Sequence, residues 1–285
     1  MSNPEGESHS QPHLGHEQAI AASFVRARLA ASAIAQFPGA IPDDLEAAYR
    51  VQDLAIAQWP DRVVGWKVGY IAPARRDRSG DERLLGPIFA GARSVESADS
   101  VPFEVFDGGF GAVEAEYVLR LEADMPTGQQ HWSPEQAGAF PCTLHLGVEV
   151  ASSPLATINQ LGPCVVVCDF GNNNGLILGR MVERWQELPE AGLTCHTWID
   201  GRRVGSGGAT TPPGGLRAAF AFALTRSAQR GRPLRAGDLI ATGNATGIHD
   251  IAPGQEARIV FDGHGEIACH AVAATARKHA QDPLA

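Results

Sequence analysis

The sequence lacks the short motifs that mark several common enzyme classes. It contains no G-x-G-x-x-G, no Walker sequence and no G-x-S-x-G elbow, so dinucleotide-binding, P-loop and serine-hydrolase functions have no support. No apolar run is long enough to span a membrane, and the first residues are polar, unlike a signal peptide. These absences predict a soluble cytoplasmic protein.

Cysteine and positive charge are both scarce. The five cysteines are an odd number without a C-x-x-C pair, which predicts reduced thiols rather than disulfides. The 32 acidic residues outnumber the 23 lysines and arginines, and the net charge of -9 argues against nucleic acid or an anionic membrane as a partner. A small acidic substrate is compatible with this charge, since a bound metal can invert the local field.

The length and the composition predict the domain organisation. A chain of 285 residues can form one elaborate domain, or one domain with a helical extension, and its 32 glycines and 19 prolines indicate many turns between short strands. Residues 1–16 are polar without periodicity, which predicts a disordered leader. Helical spacing over residues 17–35 and an acidic helix start at residues 42–44 predict two helices. We therefore expect a helical subdomain at 17–60 and a larger, β-rich domain at 61–285.

Two glutamates lie close together on the predicted strand 111–121, GAVEAEYVLRL. Alternation along a strand places Glu114 and Glu116 on one face, opposite the apolar residues. Two carboxylates that point the same way repel each other, so a buried pair requires a shared proton or a cation, most simply a hard divalent ion. A bare E-x-E more often marks a strand with one solvated face, so other parts of the sequence must decide.

A second alternating segment, residues 143–151 (TLHLGVEVA), supplies a third carboxylate. Its leucines and valines point inward, while His145 and Glu149 share the opposite face. The alternation therefore predicts the same environment for Glu149 as for the other two glutamates. His145 shares the face but lies about 13 Å away at the usual rise of a strand, which disfavours a role in the site.

Lys67 lies between two glycines on a further predicted strand, residues 62–70. Gly65, Lys67 and Gly69 share one face, so the amine has room on both sides and a ligand can approach it. The alternative is a surface lysine on an edge strand, where a charge commonly protects the edge from pairing.

The second half of the chain adds candidates at the ends of predicted strands. Residues 164–168, CVVVC, are predicted to form a buried strand ending at Asp169, where sites often lie, although a turn-forming aspartate is an equal alternative. Residues 238–243 are predicted to form a strand that leads into the loop 244–249. The glycines and small hydroxyl residues of this loop let backbone amides approach an anion closely.

The chain resembles the fumarylacetoacetate hydrolase superfamily, and most of all its 2-keto-4-pentenoate hydratase and 4-oxalocrotonate decarboxylase branch. The likeness covers roughly residues 42–271 and implies a mixed, β-rich α/β fold, with a twisted mixed sheet rolled around the site and helices outside. Four motifs carry it, in this order: Gly-Trp-Lys67-Val-Gly, Glu114-Ala-Glu116, Gly-Val-Glu149-Val-Ala and Gly-Asp238-Leu-Ile-Ala-Thr-Gly243.

This resemblance implies a metal site in the 61–285 domain, which would be the catalytic one. A Mg²⁺ or Mn²⁺ ion would be held by the three glutamates, with Lys67 beside a bound 2-oxo acid. Such an acid chelates a divalent ion, which stabilises the enolate as charge develops. The lysine ammonium can neutralise that charge or relay a proton. The loop at Thr242 and Gly243 is expected to hold the free substrate carboxylate with amide donors.

One position departs from the hydratases that the chain resembles. They carry an acid in a Pro-Asp-Phe-Gly pattern after the lysine strand, where this chain has Leu84 within Arg83-Leu-Leu-Gly86. The decarboxylase branch is also apolar there. As a hypothesis, Asp169 or His249 replaces the missing proton-transfer group. The early His and Glu pair of C–C-cleaving relatives is not evident, which makes hydrolysis a weaker option.

The expected function is that of a metal-dependent hydratase, a lyase of aromatic or steroid ring breakdown. It would protonate a 2-hydroxy-2,4-dienoate and add water across the 4,5-double bond, giving a 4-hydroxy-2-oxo acid. The alternatives are a 4-oxalocrotonate-type decarboxylase, an acylpyruvate-type C–C hydrolase, and a non-catalytic 2-oxo acid binding protein that retains the metal. The resemblance also implies a homo-oligomer.

Overall fold

A computed structural model of the protein describes residues 11–277, with side chains from residue 15 onward. Its helices are α1 Gln11–Leu29, α2 Leu45–Gln58, α3 Pro134–Gly138, α4 Ile158–Leu161, α5 Pro163–Cys168 and α6 Gly215–Gln229. Its strands are β1 Val63–Tyr70, β2 Arg83–Phe89, β3 Arg93–Val95, β4 Val101–Val105, β5 Phe110–Leu121, β6 Cys142–Ser153, β7 Asn173–Met181, β8 Thr194–Ile199, β9 Arg202–Gly208, β10 Leu239–Ala241, β11 His249–Asp250, β12 Glu256–Phe261 and β13 Gly265–Ala273. Within this part of the chain, no helix combines the length and the apolarity needed to cross a bilayer.

The strands form one sheet of eight strands and one of five. The larger sheet has the order β2-β1-β10-β5-β6-β7-β3, with β11 paired to β5, and the smaller has the order β4-β13-β12-β8-β9. Both sheets are mixed, because β1 runs parallel to β10, β3 to β7 and β4 to β13, while the other pairs are antiparallel. The predicted mixed, β-rich α/β class is therefore confirmed.

Strands β5 and β6 form the centre of the larger sheet and pair along their whole length of 12 residues each. The face with Tyr117 and its apolar neighbours is buried, as the alternation predicts. The opposite face is buried as well: Glu114 is 2% exposed, Glu116 0% and Val118 0%. A strand with one solvated face is thus excluded, and the glutamates lie where an unpaired charge is costly.

Lys67 lies on an inner strand rather than at an edge. Strand β1 is hydrogen-bonded on one side to β10 and on the other to β2, with Lys67 opposite Ala241 and Gly86. The neighbouring glycine is required by packing, because a Cβ at Gly65 would overlap the carbonyl oxygen of Leu239. The edge-strand alternative is therefore wrong, and β10 places the lysine strand one strand away from β5.

Helix α1 begins earlier than the sequence predicts. It starts at Gln11, so the predicted disordered leader (1–16) is wrong for residues 11–16, while residues 1–10 lie outside the described part of the chain. Pro12 lies in the first turn, where the N–H that proline lacks would have no partner within the helix. A proline at this position is therefore compatible with the start of a helix.

The other ends of the N-terminal helices follow local signals. Helix α1 ends at Leu29 rather than at residue 35, because the chain turns through a left-handed backbone at Ala31, with φ of 49°. Helix α2 begins at Leu45, slightly later than the predicted start at residues 42–44. Asp44 is its N-cap, and its side chain accepts a hydrogen bond from the N–H of Ala47 at 2.9 Å. The division into a helical subdomain and a catalytic domain at residue 60 stays a prediction.

The segment predicted as a buried strand before Asp169 is a helix instead. Residues 163–168 form α5, which starts with Pro163 at its first position. A run of five apolar residues fits a buried helix as well as a buried strand, and here the helix-initiating proline decides between them. Strands β8 and β9 are joined by a hairpin turn at Asp200 and Gly201, with φ of 47° and 75°.

Candidate active site

Three glutamates converge on the inner face of the larger sheet. Glu114 on β5 lies directly opposite Glu149 on β6, and Glu116 lies two residues further along β5. One carboxylate oxygen from each of the three lies within 4.8 Å of the other two. The structure therefore brings together the three carboxylates that the sequence pattern selected.

Burial and mutual repulsion raise the pKa values of these carboxyls. Burial is the larger cause for Glu114, followed by the charge of Glu149, and the pKa of Glu114 reaches about 8. The same causes, burial first, raise the pKa of Glu116 well above its usual value. A cluster of this kind holds its negative charge only with a compensating cation.

Lys67 supplies part of that compensation. Its Nζ lies 3.1 Å from Oε1 of Glu149, and its side chain is 6% exposed. Burial by itself would lower the pKa of Lys67, but attraction to Glu149 and then to Glu114 outweighs it, and the pKa is raised. One lysine faces three carboxylates, so the described residues leave an excess of negative charge in the cluster.

Neighbouring amides hold the glutamates in place. The backbone N–H of Gly243 donates to Oε2 of Glu116 at 2.7 Å, and Nδ2 of Asn173 donates to Oε1 of Glu149 at 3.2 Å. The side chain of Asn244 acts on Glu114, where it lowers the pKa against the effect of burial. The amides thus fix the carboxylates from outside the cluster.

Two carboxylate oxygens of the cluster are left without a hydrogen bond. Oε1 of Glu114 and Oε1 of Glu116 are buried and have no partner among the described residues. Buried polar atoms are rarely left unsatisfied, so such atoms indicate a missing ligand. Oxygen donors with excess negative charge suit a hard divalent cation, and the cluster therefore fits one.

A cavity of about 220 Å³ opens beside the cluster, and we call it the lysine cavity. Lys67, Glu114 and Asn244 contribute polar groups to its wall. Arg75, Asn159 and Asn172 add further polar groups, and the apolar part of the wall comes from β1, β2 and α5 and includes Leu84. Its size suits a small substrate, placed against the lysine and one metal-binding carboxylate.

A smaller cavity of about 150 Å³ adjoins the first, and we call it the arginine cavity. Both cavities share Val68, Tyr70 and Asn244 in their walls. Arg83 also lines the arginine cavity, together with Thr242, Gly243 and the loop 211–213. A larger cavity of about 530 Å³ beside α1 and α2 contains none of the predicted site residues.

The predicted substrate-binding pair has other partners in the structure. The hydroxyl of Thr242 donates to the carbonyl oxygen of Tyr117 at 2.7 Å, and the amide of Gly243 is engaged by Glu116. Both residues therefore bind to β5. Their predicted hydrogen bonds to a substrate carboxylate are not available in this arrangement. Both residues still line the arginine cavity.

Asp169 does not reach the cluster. It is fully buried and pairs with Arg28 of α1, Nε to Oδ1, at 2.5 Å. The same arginine also donates to the carbonyl oxygens of Ser152 and Asn173. Asp169 lines neither cavity, because it follows a helix rather than the predicted strand, so its predicted catalytic role is not supported.

His249 is also directed away from the lysine. Its Nε2 lies 3.2 Å from the hydroxyl of Thr246, and its ring stands against Gly205 of the smaller sheet, where an added Cβ would collide with it. The preceding residue, Ile248, lines the lysine cavity instead. Burial lowers the pKa of His249, but the structure places no cluster carboxylate beside it.

Asp169→Asn is expected to destabilise the protein by about 3 kcal/mol, because it leaves the buried charge of Arg28 uncompensated. The three metal-binding glutamates are unchanged, so Mg²⁺ affinity should stay within about threefold of the wild type. Urea unfolding and calorimetric titration measure the two effects.

The matched control is Glu266→Gln, which alters a pair with Arg258 in which both side chains are about half exposed, 54% and 48%. Such a pair is worth about 1 kcal/mol or less. If Asp169→Asn lost turnover while its free energy of unfolding stayed at the wild-type value, a catalytic role for Asp169 would be supported.

The sequence analysis missed the two asparagines that touch the cluster. Asn173 begins β7 and reaches Glu149 only because β7 pairs with β6. Asn244 follows Gly243 in a loop where the sequence indicated amide donors but no particular side chain. The run Asn172-Asn-Asn-Gly175 was a visible signal, but its interpretation needed the pairing of the strands.

The fold is similar to that of solved structures of the fumarylacetoacetate hydrolase type. 4-Oxalocrotonate decarboxylase from Pseudomonas putida G7, complexed with magnesium and adipate, superposes with a TM-score of 0.76 at 22% identity, covering 91% of this chain and 98% of that one. Fumarylpyruvate hydrolase from Pseudomonas aeruginosa, in complex with Mn²⁺ and pyruvate, gives 0.52 at 18% identity, covering 75% and 91%. The predicted fold type is confirmed.

Sequence similarity leads to more particular relatives. A 2-keto-4-pentenoate hydratase of Paraburkholderia phymatum is 28% identical over 232 residues, which cover 79% of this chain and 86% of the relative. A protein of the same name from Burkholderia vietnamiensis is 27% identical over 184 residues, covering 64% and 68%. No protein-family model matches the chain. The resemblance to this superfamily and branch is confirmed, and the relatives named here are enzymes.

Proposed function

We propose that this protein is a divalent-metal-dependent hydratase that converts a 2-hydroxy-2,4-dienoate into a 4-hydroxy-2-oxo acid. One observation carries the proposal: three buried carboxylates and Lys67 converge at the wall of a cavity of small-substrate size. The two similar proteins named 2-keto-4-pentenoate hydratase support the choice of reaction.

Glu114, Glu116 and Glu149 would hold the metal, which we propose to be Mg²⁺ or Mn²⁺. When bound, such an ion supplies positive charge to the oxygens of a 2-oxo acid and stabilises an enolate. Two structures of the same fold type contain magnesium or Mn²⁺ together with small acids, which supports this choice. The amides of Gly243 and Asn173 would keep the carboxylates aligned with or without substrate.

Lys67 would act on the substrate as a cation that can give up a proton. Its contact with Glu149 favours the ammonium form, so we propose that it starts as a proton donor or charge partner rather than as a base. In the overall reaction the 2-hydroxyl loses its proton, C5 gains one, and water then adds its oxygen at C4 and its proton at C3. Lys67 is the group of the lysine cavity placed to donate or hold such a proton.

The apolar wall of the lysine cavity would exclude bulk water from the reacting carbons. Leu84 lies in this wall, where the hydratases discussed above carry an acid. Among the described residues that line the cavity, Glu114 is the one carboxylate. This observation favours decarboxylation as the second candidate, because loss of CO₂ needs no further acid to activate water.

Product analysis separates these functions. The protein would be incubated with Mg²⁺ and 2-hydroxypenta-2,4-dienoate, and in parallel with 2-hydroxyhexa-2,4-dienedioate and with an acylpyruvate, with Glu116→Gln as the inactive control. We expect hydrated acids by NMR and mass spectrometry. Release of CO₂ from the diacid would indicate the decarboxylase, cleavage of an acylpyruvate into two fragments the hydrolase, and bound but unchanged substrates a binding protein.

The superfamily resemblance adds two expectations to this proposal. The substrate would come from the breakdown of aromatic rings, and the enzyme would be a homo-oligomer. Sedimentation velocity of the purified protein measures its assembly directly.

A further inference from the structure

Arg83 differs from the other buried arginines in how its charge is balanced. Arg28 lies 2.5 Å from Asp169, and Arg230 lies 2.7 Å from Asp53, so each has a carboxylate at hydrogen-bond distance. Arg83 is 5% exposed, yet its nearest carboxylate oxygen among the described residues is 3.7 Å away. Arginine is rarely buried without a close anionic partner.

The neighbouring carboxylate is a poor partner for Arg83. It belongs to Glu82, whose side chain is 54% exposed and which is hydrogen-bonded to Arg76 at 2.9 Å. The remaining described contacts of Arg83 are one hydrogen bond, from Nη2 to the carbonyl oxygen of Pro213, and the ring of Tyr70 at 5.8 Å. Burial lowers the pKa of Arg83, since these neighbours compensate only part of the lost hydration.

The position of Arg83 connects this cation to the proposed active site. It lines the arginine cavity, whose wall includes Gly243 and Asn244. These two residues also contact the cluster, Gly243 at Glu116 and Asn244 at Glu114. A molecule in the lysine cavity therefore lies next to the arginine cavity, across shared wall residues.

We propose that Arg83 binds a second carboxylate of the substrate, so that this protein acts on a diacid rather than on a monocarboxylic dienoate. The inference rests on the proposed function, in which the first carboxylate and the 2-oxygen occupy the metal site. A guanidinium binds a carboxylate through a planar fork of N–H donors, and a neighbouring apolar and aromatic wall strengthens the pair by excluding water.

The test compares two unreactive 2-oxo acids of equal chain length by calorimetric titration in Mg²⁺. 2-Oxoadipate carries a second carboxylate, and 2-oxohexanoate carries a methyl group at that end. The wild type should bind the diacid more tightly. Arg83→Gln should weaken diacid binding by about 10- to 100-fold, as expected for a lost charge-assisted hydrogen bond. The loss of affinity for the monoacid should be at least tenfold smaller than the loss for the diacid. Arg83→Lys should recover part of the loss, because it keeps the charge but not the fork.

The matched control is Arg76→Gln. Arg76 shares Tyr70 and Glu82 with Arg83 but lines neither cavity, so its substitution should leave the diacid preference intact. Equal weakening of both acids in Arg83→Gln would assign Arg83 to the carboxylate they share and overturn the proposal. Equal affinity of the wild type for both acids would also overturn it. Turnover of the monocarboxylic and dicarboxylic dienoates, measured separately, decides the proposed function, so the two failures are distinguishable.

Discussion

Glu116→Gln is expected to abolish divalent-metal binding and turnover together. Glu116 is fully buried, and its Oε1 has no partner among the described residues, so this oxygen is free to bind the proposed metal. An amide oxygen is a far weaker ligand than a carboxylate for a hard cation, and the substitution also removes one negative charge. Glu114→Gln and Glu149→Gln are expected to have the same effect, since all three oxygens lie within 4.8 Å of one another.

Calorimetric titration with Mg²⁺ and Mn²⁺ measures this loss. Glu122→Gln is the matched control, because Glu122 directly follows β5 but is exposed. Without metal, the Glu116 variant should melt no lower than the wild type, since burial and two neighbouring carboxylates already disfavour the charged form of Glu116 and raise its pKa. Wild-type affinity in all three variants would mean that the cluster is not a metal site.

Lys67→Met is expected to lower kcat and kcat/KM together, by about 10²- to 10⁴-fold, the range typical of proton transfer by a positioned side chain. The physical reason is its position: Nζ lies 3.1 Å from Glu149 and faces the lysine cavity. Metal binding should persist, because all three carboxylates remain. A cation that serves only to hold the substrate would instead raise KM while kcat stays constant.

Steady-state kinetics on the dienoate substrate distinguish these cases. Arg62→Met is the matched control, since Arg62 is exposed and directly precedes β1. Unchanged constants in Lys67→Met would remove the lysine from the mechanism. Lys67→Arg tests the role of the proton separately, because arginine keeps the charge but does not release its proton at physiological pH.

The placement of the three glutamates was predictable from the sequence because it depends on strand alternation. Glu114, Glu116 and Glu149 share a face whenever the segments around them are strands, whatever the rest of the fold does. Burial of that face was not predictable, because it depends on elements distant in the chain. The two glycines beside Lys67 likewise indicated that a ligand can approach the lysine, but they did not indicate that its strand lies inside the sheet.

The wrong predictions concern segments whose sequence is compatible with two structures, and residues whose contacts depend on how the strands pair. The apolar segment before Asp169 fits a helix or a strand, and the wrong choice placed Asp169 in the site. The loop at Gly243 was expected to donate to a substrate, but its amide donates to Glu116, which alternation alone does not show. Asn173 and Arg83 come from elements whose neighbours depend on the pairing of the sheet.

Helix α1 is connected to the cluster of three glutamates through a short series of hydrogen bonds. Arg28 donates to the carbonyl oxygen of Asn173, and the side chain of Asn173 donates to Glu149. The innermost residues of the site thus depend on an arginine that precedes all of them in the chain by more than thirty positions. Helix α1 can pack against α2 early in synthesis, but Arg28 meets Asn173 only after the chain has been made as far as the start of β7. A chain that begins after residue 28 would lack the first hydrogen bond of this series.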